Sequence, residues 1–176
     1  MEQIDKAKSI SIWIFIVPFI AINACLIIIT QFHDLFPNQE DIIHNTFPYF
    51  DGGASISRTA RPYPTWLIFK PAMFLTSFLL IKYWICNEKI IEFFEKNHKY
   101  KKKVLYFGIA SAIALTIHSI FLGIKFDNDL YKLFRRVIML AFIIFEIVAQ
   151  AYLVATFFSF KNKLKIYINS YFLKFK

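Results

Sequence analysis

Residues 136–160 read RVIMLAFIIFEIVAQAYLVATFFSF, and after Arg136 the one charged side chain in the stretch is Glu146. An α-helix rises about 1.5 Å per residue and the hydrocarbon of a bilayer is about 30 Å thick, so ~20 consecutive apolar residues cross it. Three further windows meet that requirement, at 9–30, 64–86 and 104–124. Four such windows predict an all-α fold, an integral membrane four-helix bundle forming a single transmembrane domain over 1–176. The composition agrees: 57% of the 176 residues are hydrophobic, 19% are aromatic and the mean hydropathy is +0.49. A soluble enzyme and a disordered chain are both excluded, because each needs far more polar surface.

The charges flank the apolar blocks. Residues 1–8 hold two Lys, 87–103 six and 161–176 five. The other side has Arg58, Arg61, Lys125, Lys132, Arg135 and Arg136, diluted by Asp34, Glu40, Asp41, Asp51, Asp127 and Asp129. Lys and Arg concentrate on the cytoplasmic side of membrane proteins. Both termini are therefore expected in the cytoplasm, with loop 31–63 outside, loop 87–103 inside and an interfacial tail at 161–176 drawn to anionic lipid. The net charge of +9 belongs to this topology, and no nucleic acid partner is expected. Lys6 and Lys8 ahead of an apolar run ending at Cys25 have the outline of a signal peptide. Asn23 fits a cleavage site poorly and the run continues through Ile29, so an uncleaved first span is expected.

Loop 31–63 is unlike a linker. Within 47–64 lie half of the glycines and half of the prolines. Asp51-Gly52-Gly53 is turn chemistry, and Pro62 and Pro64 hold the residues before them away from helical geometry. The chain has four Arg against seventeen Lys, and all four Arg fall on the non-cytoplasmic side. A guanidinium forks onto carboxylate or phosphate where an ammonium does not. Asp51, Ser55, Ser57, Arg58 and Arg61 are thus candidate ligands for a lipid head group. The alternative is that the two Arg pair with Asp51, Glu40 or Asp41 and cap the bundle.

Pro48-Tyr49-Phe50-Asp51-Gly52-Gly53, then Ser55-Ile56-Ser57, Pro64 and Phe69 at the start of a hydrophobic helix, resembles the first extracytoplasmic loop of the Frag1/DRAM/Sfk1 superfamily. The resemblance covers residues 45–75. It implies a polytopic membrane protein of lipid or membrane homeostasis and marks Pro48, Asp51, Gly52 and Ser55 as motif positions. Members of that family usually have six spans where this sequence has four.

Polar groups inside the spans are the other functional signal. Glu146 and Gln150 share a face of the fourth span, one turn apart, and an acidic group at mid-membrane costs on the order of 2.5–3.5 kcal/mol unless it finds a partner or a proton. Counting ~1.5 Å per residue along an antiparallel hairpin places His118 within roughly 6 Å of the depth of Glu146, which makes the two candidates for acid/base catalysis. Lys70 is a second partner for Glu146 if its side chain turns inward. The competing reading is a polar latch that selects helix packing. Ala110, Ser111 and Ala114 allow close helix approach.

Other chemistry is absent from the pattern. Cys25 and Cys86 sit in or at the end of apolar blocks, with no metal-binding spacing. His33, His44, Asp34, Glu40 and Asp41 do not form a His-x-x-x-His or His-Glu-x-x-His pair, Ser55 and Ser57 lack a nucleophile elbow, and there is no phosphate-binding glycine motif. No metal and no cofactor is expected. Three functions remain: a non-enzymatic protein binding a lipid head group or membrane partner through the loop 45–64, a lipid-modifying enzyme using His118 and Glu146, and a small proton-coupled transporter or channel. Membrane lipids are the expected partners, with self-association or a larger membrane complex as the protein partner.

Overall fold

The computed structural model describes residues 2–38, 43, 49–50, 55–124 and 128–161. Among these, regular structure is helical throughout: α1 (Glu2–Gln31), a 3₁₀ turn (His33–Leu35), α2 (Ile56–Thr59), α3 (Trp66–Phe94), α4 (Lys101–Phe121) and α5 (Asp129–Ser159). By length and composition α1, α3, α4 and α5 each suffice to cross a membrane, as expected of a multi-pass membrane protein. They run alternately up and down, so α1 starts and α5 ends at the same end of the bundle.

The helices outrun the windows read from hydropathy. α3 continues past residue 86 to Phe94, which leaves residues 95–100 as the turn into α4. Asn87, Glu88, Lys89 and Glu92 are too polar for hydrocarbon, but a helix satisfies its own backbone in water as well as in lipid, so nothing ends it there. α5 starts at Asp129, seven residues before the window, and the Asn128 side chain caps it by accepting from the Leu130 N–H at 3.0 Å. An exposed polar turn therefore sits on top of the span. Of the tail 161–176, the described residues include Lys161 alone.

Packing follows residue size. α1 lies on α3, α3 on α4 and α4 on α5, and no comparable interface joins α1 to α5. α3 and α4 approach closely because Gly108 has no side chain: a Cβ there would lie 2.2 Å from the ring of fully buried Trp84. Ser111, Ala112 and Ala114 continue the small-residue face of α4. This is the close approach that small residues permit between membrane helices.

The end carrying the 95–100 turn is sealed by rings. Phe160 packs on Phe94 and His98, and Tyr152 lies between Tyr100 and Phe107, with centroid separations of 5.1–6.0 Å. Lys103 lies over both Tyr100 and Tyr152. At the opposite end the described part of loop 31–63 folds back on the bundle. Ile29, Phe36 and Ile43 form a small separate apolar cluster, and the Tyr49 hydroxyl donates to Asn23 Oδ1.

Candidate functional site

Because α1 and α5 do not close on each other, the bundle has a lateral cleft. Its volume is about 540 Å³, within the range of ligand pockets. Ile14, Pro18 and Ile22 of α1 form one wall, and Met139, Phe142 and Glu146 of α5 the other. The back is Phe69, Met73, Thr76 and Leu80 of α3 with Leu115, His118 and Leu122 of α4. Pro18 has no N–H for the Ile14 carbonyl, so α1 is weakest as a hydrogen-bonded rod where it lines the cleft. Most of this lining is hydrocarbon, and the polar groups gather at its two extremes.

The mouth is built by the turn ahead of α3. Thr65 is fully buried and its hydroxyl lies 2.5 Å from the Thr59 carbonyl and 2.9 Å from that of Pro62, while its own carbonyl accepts from Cys25 Sγ at 3.4 Å. These contacts fix the 59–65 turn to α1. From the other side Gly123, at φ +88°, brings the α4–α5 turn against the same segment, and a Cβ there would lie 3.2 Å from the Arg61 carbonyl. Arg61 is thereby held on the side of the bundle where Arg135 of α5 lines the cleft, within reach of its charge. Partial burial first, and then the positive charge of Arg135, push the guanidinium of the surface-exposed Arg61 below its ordinary pKa, because both effects disfavour the cation. Arg135 Nε is buried without a hydrogen-bond partner among the described residues, and its guanidinium lies 5.8 Å from the Tyr131 ring centroid. Arg136 lines the same mouth, as does His118, whose Nδ1 is buried without a hydrogen-bond partner among the described residues.

The floor is Glu146. Ser111 Oγ of α4 lies 2.7 Å from its Oε2, and Gln150 Nε2 donates to its Oε1 at 3.0 Å. Tyr83 of α3 stands beside this group, near the side chains of Asn87, Glu146 and Gln150. A polar cluster drawn from three helices thus occupies the middle of an apolar bundle.

The sequence candidates separate into groups. Asp51, with Pro48 and Gly52, lies outside the described residues, as do Glu40 and Asp41, the acidic partners considered for the arginines. Ser55 caps α2, its hydroxyl oxygen accepting from the Arg58 N–H at 3.3 Å, and Ser57 falls in the same short helix. Arg58 and Arg61 are both exposed, and Arg61 is the one close enough to Arg135 to feel its charge. Lys70 turns away from Glu146: its Nζ donates to the Ile120 carbonyl at 3.3 Å and lies over the Trp66 ring. His118 faces Arg135, while the partners of Glu146 are Ser111 and Gln150. His118 is seven residues from Ser111, about 10 Å along α4, so His118 and Glu146 occupy different depths. Ser111, valued in the sequence for its size, also supplies a hydroxyl. Arg135, Tyr83 and Asn87 were not singled out; the Arg135-Arg136 pair heading an apolar run was the available signal for the first.

Among the described residues no cluster of His, Cys, Asp and Glu has the makings of a metal site. No family model, curated protein or solved structure matches the chain.

Proposed function

We propose that this membrane protein binds an anionic amphiphile, with the acyl part in the cleft between α1 and α5 and a phosphate or carboxylate head group at Arg61, Arg135 and Arg136. The observation that carries the reading is Arg135. Among the described residues its buried Nε has no hydrogen-bond partner, and the side chain lines the mouth of an apolar cleft. Cations that repel one another are stabilised by an anion between them, and Arg is the residue suited to bidentate contact with phosphate or carboxylate. The apolar walls suit hydrocarbon, and the missing α1–α5 interface gives a lipid lateral access from the bilayer. The resemblance of residues 45–75 to a loop of the Frag1/DRAM/Sfk1 superfamily agrees with a role in lipid or membrane homeostasis.

Relative to the loop reading, the anion site moves from the exposed face of residues 55–58 to the junction of Arg61 with α5. The lysine bias supports cytoplasmic termini and a cleft mouth on the other side of the membrane. An acid/base enzyme is less well supported, since His118 and Glu146 have separate partners at separate depths.

Native mass spectrometry of detergent-purified protein tests the proposal. Wild type is expected to retain one anionic lipid, and Arg61→Gln with Arg135→Gln to lose it while circular dichroism shows unchanged helix content. A wild-type protein free of lipid, or one carrying only stoichiometric protein partners, contradicts the reading and points to a subunit of a larger complex.

A further inference from the structure

The Ser111 hydroxyl has two acceptors and one proton. Its Oγ lies 2.8 Å from the Gly108 carbonyl and 2.7 Å from Glu146 Oε2. A carbonyl only accepts, so if Ser111 donates to Gly108 the short contact to Glu146 needs a proton from the carboxyl. A protonated Glu146 completes every contact at once: Oε2–H donates to Ser111 Oγ, Ser111 donates to Gly108 and Gln150 donates to Oε1. An ionised Glu146 instead takes the Ser111 proton, and the hydroxyl turns away from Gly108. The cluster therefore has two hydrogen-bonded arrangements that differ by one proton and one hydroxyl rotation.

A second feature gives that proton a way out. A separate pocket of about 150 Å³ opens at the end of the bundle where α1 begins, lined by Lys8, Ser11, Tyr83 and Asn87 among others. Lys8 and Ser11 are exposed. Tyr83 lines this pocket and is also near enough to Glu146 and Gln150 to feel them, so one residue of α3 connects the carboxyl with the pocket. A phenol passes a proton by accepting one on oxygen while releasing its own. Asn87 and Gln150 are placed to orient that hydroxyl.

We propose that Glu146 is an intramembrane proton-binding site whose proton exchanges, through the Tyr83 hydroxyl, with water in the pocket beside Lys8 and Ser11. On release the Oε2–H bond breaks, Ser111 donates to the carboxylate, the Tyr83 oxygen takes up a proton and Tyr83 gives its original one to pocket water. Uptake is the reverse. The groups facing Glu146 are Tyr83 from α3, Ser111 and, farther along, His118 from α4, and Gln150, Arg135 and Arg136 on its own helix; α1 presents Ile14, Pro18 and Ile22 across the cleft. Ionisable side chains inside membrane segments commonly mark such relays. The proposal stands on these hydrogen bonds and the second pocket, whatever occupies the cleft.

Infrared difference spectroscopy of the reconstituted protein, titrated from about pH 5 to about pH 9 to cover the span between ordinary carboxyl and lysine titration, is the test. Wild type is expected to show a carboxylic-acid C=O band that disappears as the pH rises. The band should vanish in the isosteric Glu146→Gln and shift in frequency in Ser111→Ala, and after a pH jump it should respond at least about tenfold more slowly in Tyr83→Phe, ~1.4 kcal/mol of barrier. Persistence of the band in Glu146→Gln, or no titrating band in wild type, overturns the site. A wild-type rate in Tyr83→Phe overturns the route. Should Glu146→Gln fail to fold, the frequency in Ser111→Ala decides: an unshifted band overturns the assignment.

Discussion

The two ends of the bundle solve the same problem in opposite ways. At the end rich in lysine, rings from the 95–100 turn, α4 and α5 interlock, and Lys103 lies over them with its charge directed at π-faces. At the arginine end, Arg135 lines the mouth of an apolar cleft and its charge reaches Arg61. Cations at the first end are satisfied by the protein itself and by solvent. At the second end the Arg135 guanidinium also meets a ring, that of Tyr131, but its Nε has no hydrogen-bond partner among the described residues. The difference teaches that charge alone does not single out an end of the bundle; what sets the arginine end apart is charge placed beside unfilled apolar volume.

The largest effect expected comes from the interface that both ends depend on. Gly108→Ala places a methyl in the Trp84 ring, and thermal unfolding in detergent should show a loss at or above the ~1–3 kcal/mol typical of overpacking. A smaller residue at position 84 should relieve part of it, so Gly108→Ala is expected to cost less in a Trp84→Leu background than alone, a coupling that a double-mutant cycle measures. Equal costs in both backgrounds would show that the two residues do not meet.

Arg135→Gln sharpens the comparison next. Loss of a charge-assisted contact of ~1.5–3 kcal/mol should weaken retention of an anionic lipid by about 10-fold to 100-fold, read as lipid occupancy against added competitor, with thermal stability little changed. Gly123→Ala should act on both properties. At φ +88° a Cβ costs roughly 1–2 kcal/mol, and displacement of the Arg61 turn should lower lipid occupancy. The smallest effect belongs to the sealed end. Lys103→Ala removes a partly exposed cation–π contact, so a stability change of at most ~1 kcal/mol and wild-type lipid occupancy are expected.

Much of the architecture was legible in the sequence because hydrocarbon thickness sets a length and residues 9–30 and 136–160 meet it almost without charge. Helix limits were less legible, since polar residues such as Glu88 and Glu92 end a membrane window without ending a helix. That error propagated to His118 and Glu146. Counting from residues 104 and 136 put them at similar depth, but α4 ends at Phe121, three residues after His118, while α5 starts seventeen residues before Glu146. Arginine usage pointed to the end where the cleft opens, and there the charge that bears on Arg61 comes from Arg135 of α5. That placement depends on which helices pack together, which four similar apolar windows do not specify. Ser111 was legible as small, but its second role needed the position of Glu146.

Site-specific photocrosslinking in the bilayer tests the central claim most directly. A photoreactive residue at Met139, which lines the cleft, and another at Leu140, one position on and exposed outside it, sample the same depth on two faces of α5. In vesicles mixing anionic and zwitterionic lipids, the account predicts that position 139 captures anionic lipid well above its share, that position 140 captures both in proportion, and that Arg61→Gln with Arg135→Gln abolishes the preference at 139. Capture in proportion at both positions would contradict it.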